Sequence, residues 1–432
     1  MRVMHVAASD SIGGACRAAN RLHIALQNHG ESYNIESTCR VIYKGSSDQA
    51  IKGGAPKLSI RGRINYNVKT KSRSLFLKLF QKDNSSLQSI AWPSTGLGNE
   101  LNKLQAGRPD VINLHWLGND TISIEEIGKL DYPLIWRLPD EWAFSGAEHY
   151  VSTSDKSYHF DYSSEHDFSL NGLFDLNYLT WRRKQKSWSK KMIHIVAPSN
   201  WVANNAKRSY LMQNWPIHVV PTPLDCTIWK PLNSAFSKQA LGLDPDNNFI
   251  LFGALGGLED PRKGGDLLVE ALSKLSSFFA NKNYSLLIFG QEKPNNMPQL
   301  PIPFHFLGNL SDQYSLRLAY NAASLMIIPS IQDNLPGTGL EAHACGLPIV
   351  CFDVGGLADI VDDHLTGRLV QSLNADSLAQ CLKEILADFA KLEAMSLRSR
   401  EKALFQWDAP NVVSRYAHIY KSALEQYSPI ER

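Results

Sequence analysis

The sequence has few cysteines, and none of them is spaced for a metal site or a disulfide framework. Six occur in 432 residues, and no two of them form a C-x-x-C pair. They are scattered, mostly inside apolar runs, at positions Cys16, Cys39, Cys226, Cys345, Cys351 and Cys381. A secreted disulfide-rich domain or a zinc ribbon would show denser and more regular spacing. We therefore expect reduced, buried thiols in a reducing compartment.

The sequence also lacks a strong charge imbalance and a long apolar run. Its formal net charge is +2, which gives no electrostatic reason to expect nucleic acid as a partner. No apolar stretch approaches the ~18 residues that span a bilayer. The opening MRVMHVAASD is typical of a strand rather than of a signal peptide. We expect a cytoplasmic protein, with peripheral contact at the inner face of the cytoplasmic membrane still allowed.

The dinucleotide fingerprint G-x-G-x-x-G is missing after the first predicted strand, which weakens an NAD-binding interpretation. That strand, Val3–Ala7, is followed instead by Gly13 and Gly14 at the start of a helix. Glycines let the backbone approach a ligand closely. Both are candidates for ligand contact, and a plain strand-to-helix turn is the alternative.

Apolar β-branched runs alternate with helical periodicity along the chain, which predicts parallel sheets of the α/β class. In such sheets the residues at the carboxyl ends of strands line the ligand crevice. His115 follows one predicted strand and Asp140 follows the next. Both are candidates for a reaction centre, and a packed histidine and a capping aspartate are the alternative.

The second half of the chain has a pair of cations directly before a helix. Gly256 and Gly257 follow a predicted strand, and Arg262 and Lys263 precede an apolar helix. Guanidinium and ammonium groups near a helix N-terminus suit a diphosphate. The alternative is a solvated turn.

A strand, a polar loop and a helix follow one another between Leu325 and Val354. The loop from Asp333 to Gly339 leaves free amides at the next helix, a geometry that suits a phosphate. Glu341, which we expect in the first helical turn, has two carboxylate oxygens that can accept hydrogen bonds from a vicinal diol. An ordinary turn with a surface glutamate is the alternative.

The wording of this stretch, PS-x₂-DNLP-x-T-x-LEA-x-ACG-x-P, resembles the donor-site motif of retaining GT-B glycosyltransferases of family 4. It is similar to a branch that builds bacterial surface polysaccharides. In this family's Glu-x₇-Glu motif the first position is Asp333 here, and the second is Glu341. The family's stretch LHD-x-W-A-F-T-G reads LPDEWAFSG in this chain, so Pro139 stands where the family has a histidine.

The resemblance implies two Rossmann-like domains facing each other across a cleft. The implied domains are residues 1–222 for the acceptor, a linker at 223–231, residues 232–404 for the nucleotide-sugar, and a terminal helix, 405–432, crossing back to the first domain. Two prolines at Pro221 and Pro223 independently favour the linker.

The resemblance also implies roles for individual residues. Arg262 and Lys263 would hold the diphosphate, Glu341 the ribose and Asp333 the sugar hydroxyls. The implied catalytic residues are His115, Asp140 and Asp333. The implied donor-binding residues are Gly13, Gly14, Gly256, Gly257, Arg262, Lys263, Gly290, Leu307, Asp333, Asn334, Leu335, Pro336, Gly337, Thr338 and Glu341. No metal and no other cofactor is expected.

Two basic segments predict a further partner, an anionic membrane surface. Lys57–Lys82 carries eight cations without an acidic residue, and Arg182–Lys191 is a second cluster. Such segments can lie on anionic lipid, although a solvated face is the equal alternative. A long aromatic loop, residues 145–177, is expected to cover an acceptor or to be a surface insertion, and no zinc is expected there.

The predicted function is hexosyl transfer, with retention, from a nucleotide-sugar to a lipid-linked or oligosaccharide acceptor in bacterial surface polysaccharide biosynthesis. Two alternatives stay open. One is a nucleotide-sugar epimerase of similar architecture, and the other is a non-catalytic descendant that binds a nucleotide-sugar or glycan.

Overall fold

The computed structural model describes residues 1–56, 68, 70–72, 89–118, 121–152, 157–159, 175–253, 256–258, 260–294, 299–310 and 312–428. The chain divides into two compact units, the first formed by Met1–Val220 with Val413–Arg432, and the second by Pro221–Val412. Most of the basic segment Lys57–Lys82 and much of the loop 145–177 lie outside the described residues.

The first unit is built on a parallel sheet of seven strands, flanked by helices. The strand order is β3-β2-β1-β4-β5-β6-β7. Its strands are β1 (Arg2–Ser9), β2 (Glu36–Tyr43), β3 (Ile51–Lys52), β4 (Val111–Leu114), β5 (Leu134–Arg137), β6 (Ile193–Ala197) and β7 (Ile217–Val219). Its helices are α1 (Gly13–His29), α2 (Leu97–Asn102), α3 (Ile124–Gly128), α4 (Leu176–Trp188) and α5 (Asn200–Arg208).

The second unit repeats this plan with a parallel sheet of six strands in the order β10-β9-β8-β11-β12-β13. Its strands are β8 (Asn248–Gly253), β9 (Tyr284–Phe289), β10 (Phe304–Phe306), β11 (Leu325–Ile328), β12 (Ile349–Phe352) and β13 (Gly367–Val370). Its helices are α6 (Ser234–Ala240), α7 (Gly265–Lys274), α8 (Ser276–Phe279), α9 (Gln313–Ala322), α10 (Gly337–Ala344), α11 (Leu357–Ile360), α12 (Ala375–Leu386) and α13 (Phe389–Gln406).

The last helix, α14 (Ala409–Glu425), begins in the second unit and belongs to the first from Val413 onward. There Asn113 Nδ2 donates to Tyr420 Oη at 2.8 Å, and both side chains are buried. The helix therefore completes the core of the first unit, on the face of the sheet that carries Asn113.

The core of the second unit lies on both faces of its sheet. Along β8, Phe249 and Leu251 pack into one apolar cluster, whereas Ile250 and Phe252 pack into another. Successive strand side chains point to opposite faces, so a strand that is covered by helices on both sides must be apolar at every position. This explains why the runs in the sequence are continuous rather than alternating.

In each sheet the strand order reverses next to the first strand of the unit. The reversal lies between β1 and β4 in the first unit and between β8 and β11 in the second. Parallel sheets of this kind bind ligands outside the carboxyl ends of the two strands at that switch point. The predicted α/β class with two Rossmann-like domains is confirmed. Within the described residues, no helix combines the length and apolarity needed to cross a bilayer.

Candidate functional site

The loop after β8 carries the predicted cation pair on a short 3₁₀ turn, Pro261–Lys263. Asp260 caps this turn, because its carboxylate accepts from the amide of Arg262 at 3.0 Å. The same carboxylate pairs with the Arg262 guanidinium at 2.8 Å. Both Arg262 and Lys263 are half-buried. The turn therefore presents two cations just before α7.

Gly264 brings this loop against the end of β11. Its φ is +66°, and a Cβ there would lie 1.9 Å from the carbonyl oxygen of Pro329. Only glycine permits both the left-handed backbone and the close approach. The amide of Ile331 donates to the carbonyl of Arg262 at 2.8 Å and fastens the two loops together.

This packing places Lys263 on Asp333, seventy positions along the chain. Lys263 Nζ lies 2.6 Å from Asp333 Oδ2, and the side chains are 19% and 8% exposed. Asp333 Oδ1 also accepts from the amide of Asn334 at 3.0 Å. The structure thus joins the predicted diphosphate-binding cation to the predicted sugar-binding carboxylate at the second switch point.

Helix α10 starts at Gly337 with no side chain capping its first turn. Pro336 precedes it, Leu335 and Thr338 are half-buried, and Asn334 is buried. An uncapped helix start is electrostatically suited to an anion, and Lys263 contacts Asp333 in the loop that leads into this helix.

Glu341 does not lie in the first turn of α10, so this prediction was wrong. Because Pro336 ends the loop and the helix begins at Gly337, Glu341 is the fifth helical residue. Its carboxylate is buried and accepts from Tyr320 Oη of α9 at 2.7 Å. Tyr320 orients the glutamate and was missed in the sequence, because a tyrosine on a helical face is usually core.

The remaining donor-site candidates of the second unit lie on neighbouring turns. The amide of Gly256 donates to the carbonyl of Gly290 at 3.2 Å, and the amide of Leu307 donates to Ile288 at 2.8 Å. Gly257 is buried, whereas Gly290 and Leu307 are half-buried. The Gly256 turn and the Gly290 turn are therefore adjacent.

In the first unit, Gly13 and Gly14 begin α1 as predicted, with no side-chain cap. Gly13 has a φ of +78°, and nothing lies within 4 Å of where its Cβ would be. The hydroxyl of Ser9 accepts from the amides of Ser11 and Ile12 at 3.2 and 3.3 Å. The Ser9 hydroxyl therefore stabilises the turn, and the space beside the two glycines is open.

His115 follows β4 and is buried against a second histidine that the sequence did not reveal. His5 Nδ1 of β1 and His115 Nε2 share a hydrogen bond of 2.8 Å. Burial lowers the pKa of both imidazoles well below the usual value, with the neighbouring charges adding to it. The pair is therefore neutral near pH 7. Its detection would have needed the β1–β4 pairing, which single-sequence patterns do not supply.

Asp140 follows β5 and is held by three donors. Its Oδ2 accepts from His149 Nδ1 at 2.6 Å and from Trp116 Nε1 at 3.1 Å, and its Oδ1 accepts from the Trp142 amide at 3.1 Å. His149 is 2% exposed. His149 lies ten residues after Pro139, the position at which the resembled family has its histidine. The catalytic roles predicted for His115 and Asp140 stay predictions.

The described residues contain no group of three or more histidine, cysteine or carboxylate side chains that could hold a metal ion. All six cysteines are buried.

Comparison with known proteins points in the same direction as the site in the second unit. Residues 250–388 match the family described as "Glycosyl transferases group 1". A D-inositol 3-phosphate glycosyltransferase of Nocardia farcinica is 31% identical over 252 residues, which covers 54% of this chain and 53% of that protein. The match to this family covers about a third of the chain, all of it in the second unit. The chain spans about half the length of the curated relatives it matches.

Solved structures show that the whole fold is GT-B. Sucrose-phosphate synthase from Thermosynechococcus elongatus matches with a TM-score of 0.63 at 16% identity, covering 99% of this chain and 100% of that one. Anabaena HepE in complex with UDP matches with a TM-score of 0.63 at 16% identity, covering 98% and 100%. The group 1 match thus lies within the second unit of this fold, the unit that carries the cation pair.

Proposed function

We propose that this chain is a retaining glycosyltransferase of the hexosyltransferase type that uses a nucleotide-sugar donor. The observation that carries the proposal is the meeting of Lys263 and Asp333 at the switch point of the second unit, with Arg262 on the same turn. A nucleotide-sugar has a diphosphate, which cations bind, and sugar hydroxyls, which donate hydrogen bonds to a carboxylate. Both kinds of group are in contact here.

The residues divide the work by their chemistry. Arg262 and Lys263 bind the diphosphate, and the amides of Gly337 and Thr338 add helix-end donors to it. Asp333 accepts from sugar hydroxyls, and Glu341 accepts from the ribose diol in the orientation that Tyr320 fixes. Lys263, which pairs with Asp333 in this structure, is then shared between carboxylate and phosphate.

In the transfer step the bond between the anomeric carbon and the diphosphate oxygen breaks. The leaving group gains negative charge, which the guanidinium and ammonium stabilise. The acceptor oxygen bonds to the anomeric carbon on the same face, and its proton passes to the leaving phosphate. No enzyme nucleophile and no metal is required for this balance.

The donor and acceptor are proposed at the level of chemical class. UDP-sugars are the first donors to test, because Anabaena HepE is described in complex with UDP. For the acceptor we propose a lipid-linked or oligosaccharide acceptor of bacterial surface polysaccharide synthesis, reached at the inner face of the membrane. The name of the curated relatives makes D-inositol 3-phosphate the competing acceptor.

The test is to incubate UDP-, GDP- and dTDP-sugars with the protein, with and without each acceptor. We expect nucleoside diphosphate release that depends on a lipid-linked saccharide, and a product that keeps the donor's anomeric configuration by NMR. Sugar conversion without acceptor would instead indicate an epimerase. Tight donor binding with neither reaction would indicate a non-catalytic descendant.

The variant Lys263→Glu should abolish transfer, and Lys383→Glu is its matched control. Lys383 is exposed on α12 of the same unit, so it carries the same charge reversal away from the site. Equal activity of the two variants would contradict the proposed function of Lys263.

A further inference from the structure

The first unit has a cavity of about 590 Å³ beside α4. The cavity is bounded by the helix and by the segment at residues 90–92, and none of its described lining residues belongs to the turns that follow β1 and β4. Its described lining residues are Ser72, Ile90, Trp92, Leu176, Leu179, Thr180, Arg182, Arg183 and Lys186. Its volume is within the range of roughly 300–1,000 Å³ that is usual for small-molecule pockets.

Helix α4 has one side in the core and another side along the cavity. One face packs into the core through Trp181, Lys184 and Trp188. The other face places Leu176, Leu179 and Thr180 in line at spacings of three and four, which is one side of a helix. Beneath it Leu176 forms a small apolar cluster with Ile90, and Trp92 packs against them. The floor of the cavity is therefore apolar.

The rim of the cavity is basic, and its three cations are not equivalent. Arg183 already has partners within the protein, since it pairs with Glu125 at 2.8 Å and donates to the carbonyl of Ile90 at 2.6 Å. Arg182 and Lys186 are exposed, and neither side chain has a hydrogen-bond acceptor among the residues that the structure describes. The rim thus offers two available cations one helical turn apart.

We propose that this cavity binds the hydrocarbon chain of an anionic amphiphile, with its phosphate on Arg182 and Lys186. The charge of the rim and the apolar floor select this occupant together: a neutral lipid would leave the cations unused, and inorganic phosphate would leave the cavity unfilled. The identification of this amphiphile as the lipid end of the acceptor rests on the proposed function. The binding of an anionic amphiphile in the cavity does not depend on that function.

The direct test titrates octyl, decyl and dodecyl phosphate below their micelle concentrations, followed by calorimetry. Each buried methylene should tighten binding about fourfold, since each contributes ~0.8 kcal/mol. Dodecyl maltoside and dodecyltrimethylammonium, which lack the negative charge, should bind at least tenfold more weakly than dodecyl phosphate. Affinity that does not change with chain length would overturn the proposal.

Two kinds of variant separate the floor from the rim. Leu179→Trp fills the cavity and should weaken the binding of dodecyl phosphate at least tenfold. If this variant does not fold, Leu179→Ser is tested in its place. The pair Arg182→Glu with Lys186→Glu should remove the preference for phosphate over maltoside. The control is Lys207→Glu with Arg208→Glu, an equal charge reversal at exposed positions of α5 in the same unit. Equal weakening by the control would mean a diffuse basic surface only, and the proposal fails.

Activity gives the readout that links the site to the acceptor. The Leu179 variants should raise KM for a lipid-linked acceptor and leave KM for the same saccharide without lipid unchanged. If the wild-type chain transfers no sugar, the proposed function fails, and the alkyl phosphate series still decides the cavity. If transfer occurs with equal KM in the variants, the lipid assignment fails and the function stands.

Discussion

The two switch points of this protein share one topology and use it in different ways. At the first, between β1 and β4, His5 and His115 meet at 2.8 Å, are almost fully buried, and are neutral because burial lowers the pKa of each. At the second, between β8 and β11, Lys263 meets the buried Asp333 at 2.6 Å, and the lysine side chain stays 19% exposed. Strand order thus gives each sheet a place where a ligand can bind, whereas the charged pair occurs at only one of them, the proposed donor site.

The largest effect should come from charge at the second switch point. Lys263→Glu places two carboxylates in contact and repels the diphosphate, so we expect at least a thousandfold loss in kcat/KM, about 4 kcal/mol of transition-state stabilisation. The protein should still fold with a melting temperature only a few degrees lower, because Lys263 is half-buried and repulsion between the two carboxylates can be relieved by protonating one of them. Loss of folding instead of activity would contradict this account, since the Lys263–Asp333 pair would then serve stability rather than donor binding.

Next in size is the effect of removing a buried lysine amine that holds three backbone carbonyls. Lys184 of α4 is fully buried and donates to the carbonyls of Trp142, Ser145 and Gly146. Lys184→Met leaves these carbonyls unpaired and should lower the free energy of unfolding by about 3 kcal/mol. Lys190→Met, an exposed control next to the same helix, should change it by less than about 0.5 kcal/mol. Equal melting temperatures of the two variants would contradict this account.

A buried carboxyl near β5, that of Glu141, should make the stability of the first unit depend on pH. Burial raises the pKa of Glu141 to about 7, although Val151 and Asn205 donate hydrogen bonds to it. The folded state therefore holds the proton more tightly than the unfolded state, so stability is present at pH 5 and is lost as the pH rises toward 7. Glu141→Gln should stabilise the protein by about 2 kcal/mol at pH 8 relative to wild type, and much less at pH 5.

Chemical denaturation at both pH values measures this difference. The exposed Glu393→Gln on α13 is the control and should track wild type. A gain that is the same at pH 5 and pH 8 would show that Glu141 is not protonated on folding.

A smaller effect is expected at the first switch point itself. His115→Gln removes one ring of the buried pair and leaves His5 poorly satisfied, which should cost about 1–2 kcal/mol of stability. The measurement is the melting temperature together with kcat. An unchanged melting temperature with a large fall in kcat would show that the pair does not serve stability and would support the catalytic role predicted for His115.

The smallest effect should be at Tyr320. Tyr320→Phe removes the hydroxyl that donates to Glu341 at 2.7 Å and keeps the ring in its core position. We expect KM for the donor to rise about fivefold, roughly 1 kcal/mol, with kcat nearly unchanged. A variant that binds donor as wild type does would remove Tyr320 from the proposed site.

The sequence was sufficient for the class of fold and for the loops that carry the donor candidates. Continuous apolar runs predict buried parallel strands, and the alternation with helices predicts the two sheets. The start of α10 was harder, because the loop rich in proline and glycine allowed the helix to begin at several residues. Glu341 was therefore assigned to the wrong turn.

The long-range contacts could not be predicted from single-sequence patterns. Lys263 and Asp333 are seventy positions apart, and their pairing depends on how Gly264 packs on Pro329. The His5–His115 contact depends in the same way on the register of β1 against β4. Patterns in a sequence report local structure, whereas these contacts are decided by the sheet.

Gly264 also couples the two loops of the proposed donor site to each other. Since its backbone leaves no room for even a methyl group beside Pro329, the loop that carries Arg262 and Lys263 and the loop that carries Asp333 must move as one piece. Efforts to change the specificity of the proposed donor site should therefore exchange both loops together, because altering either one alone would displace the other.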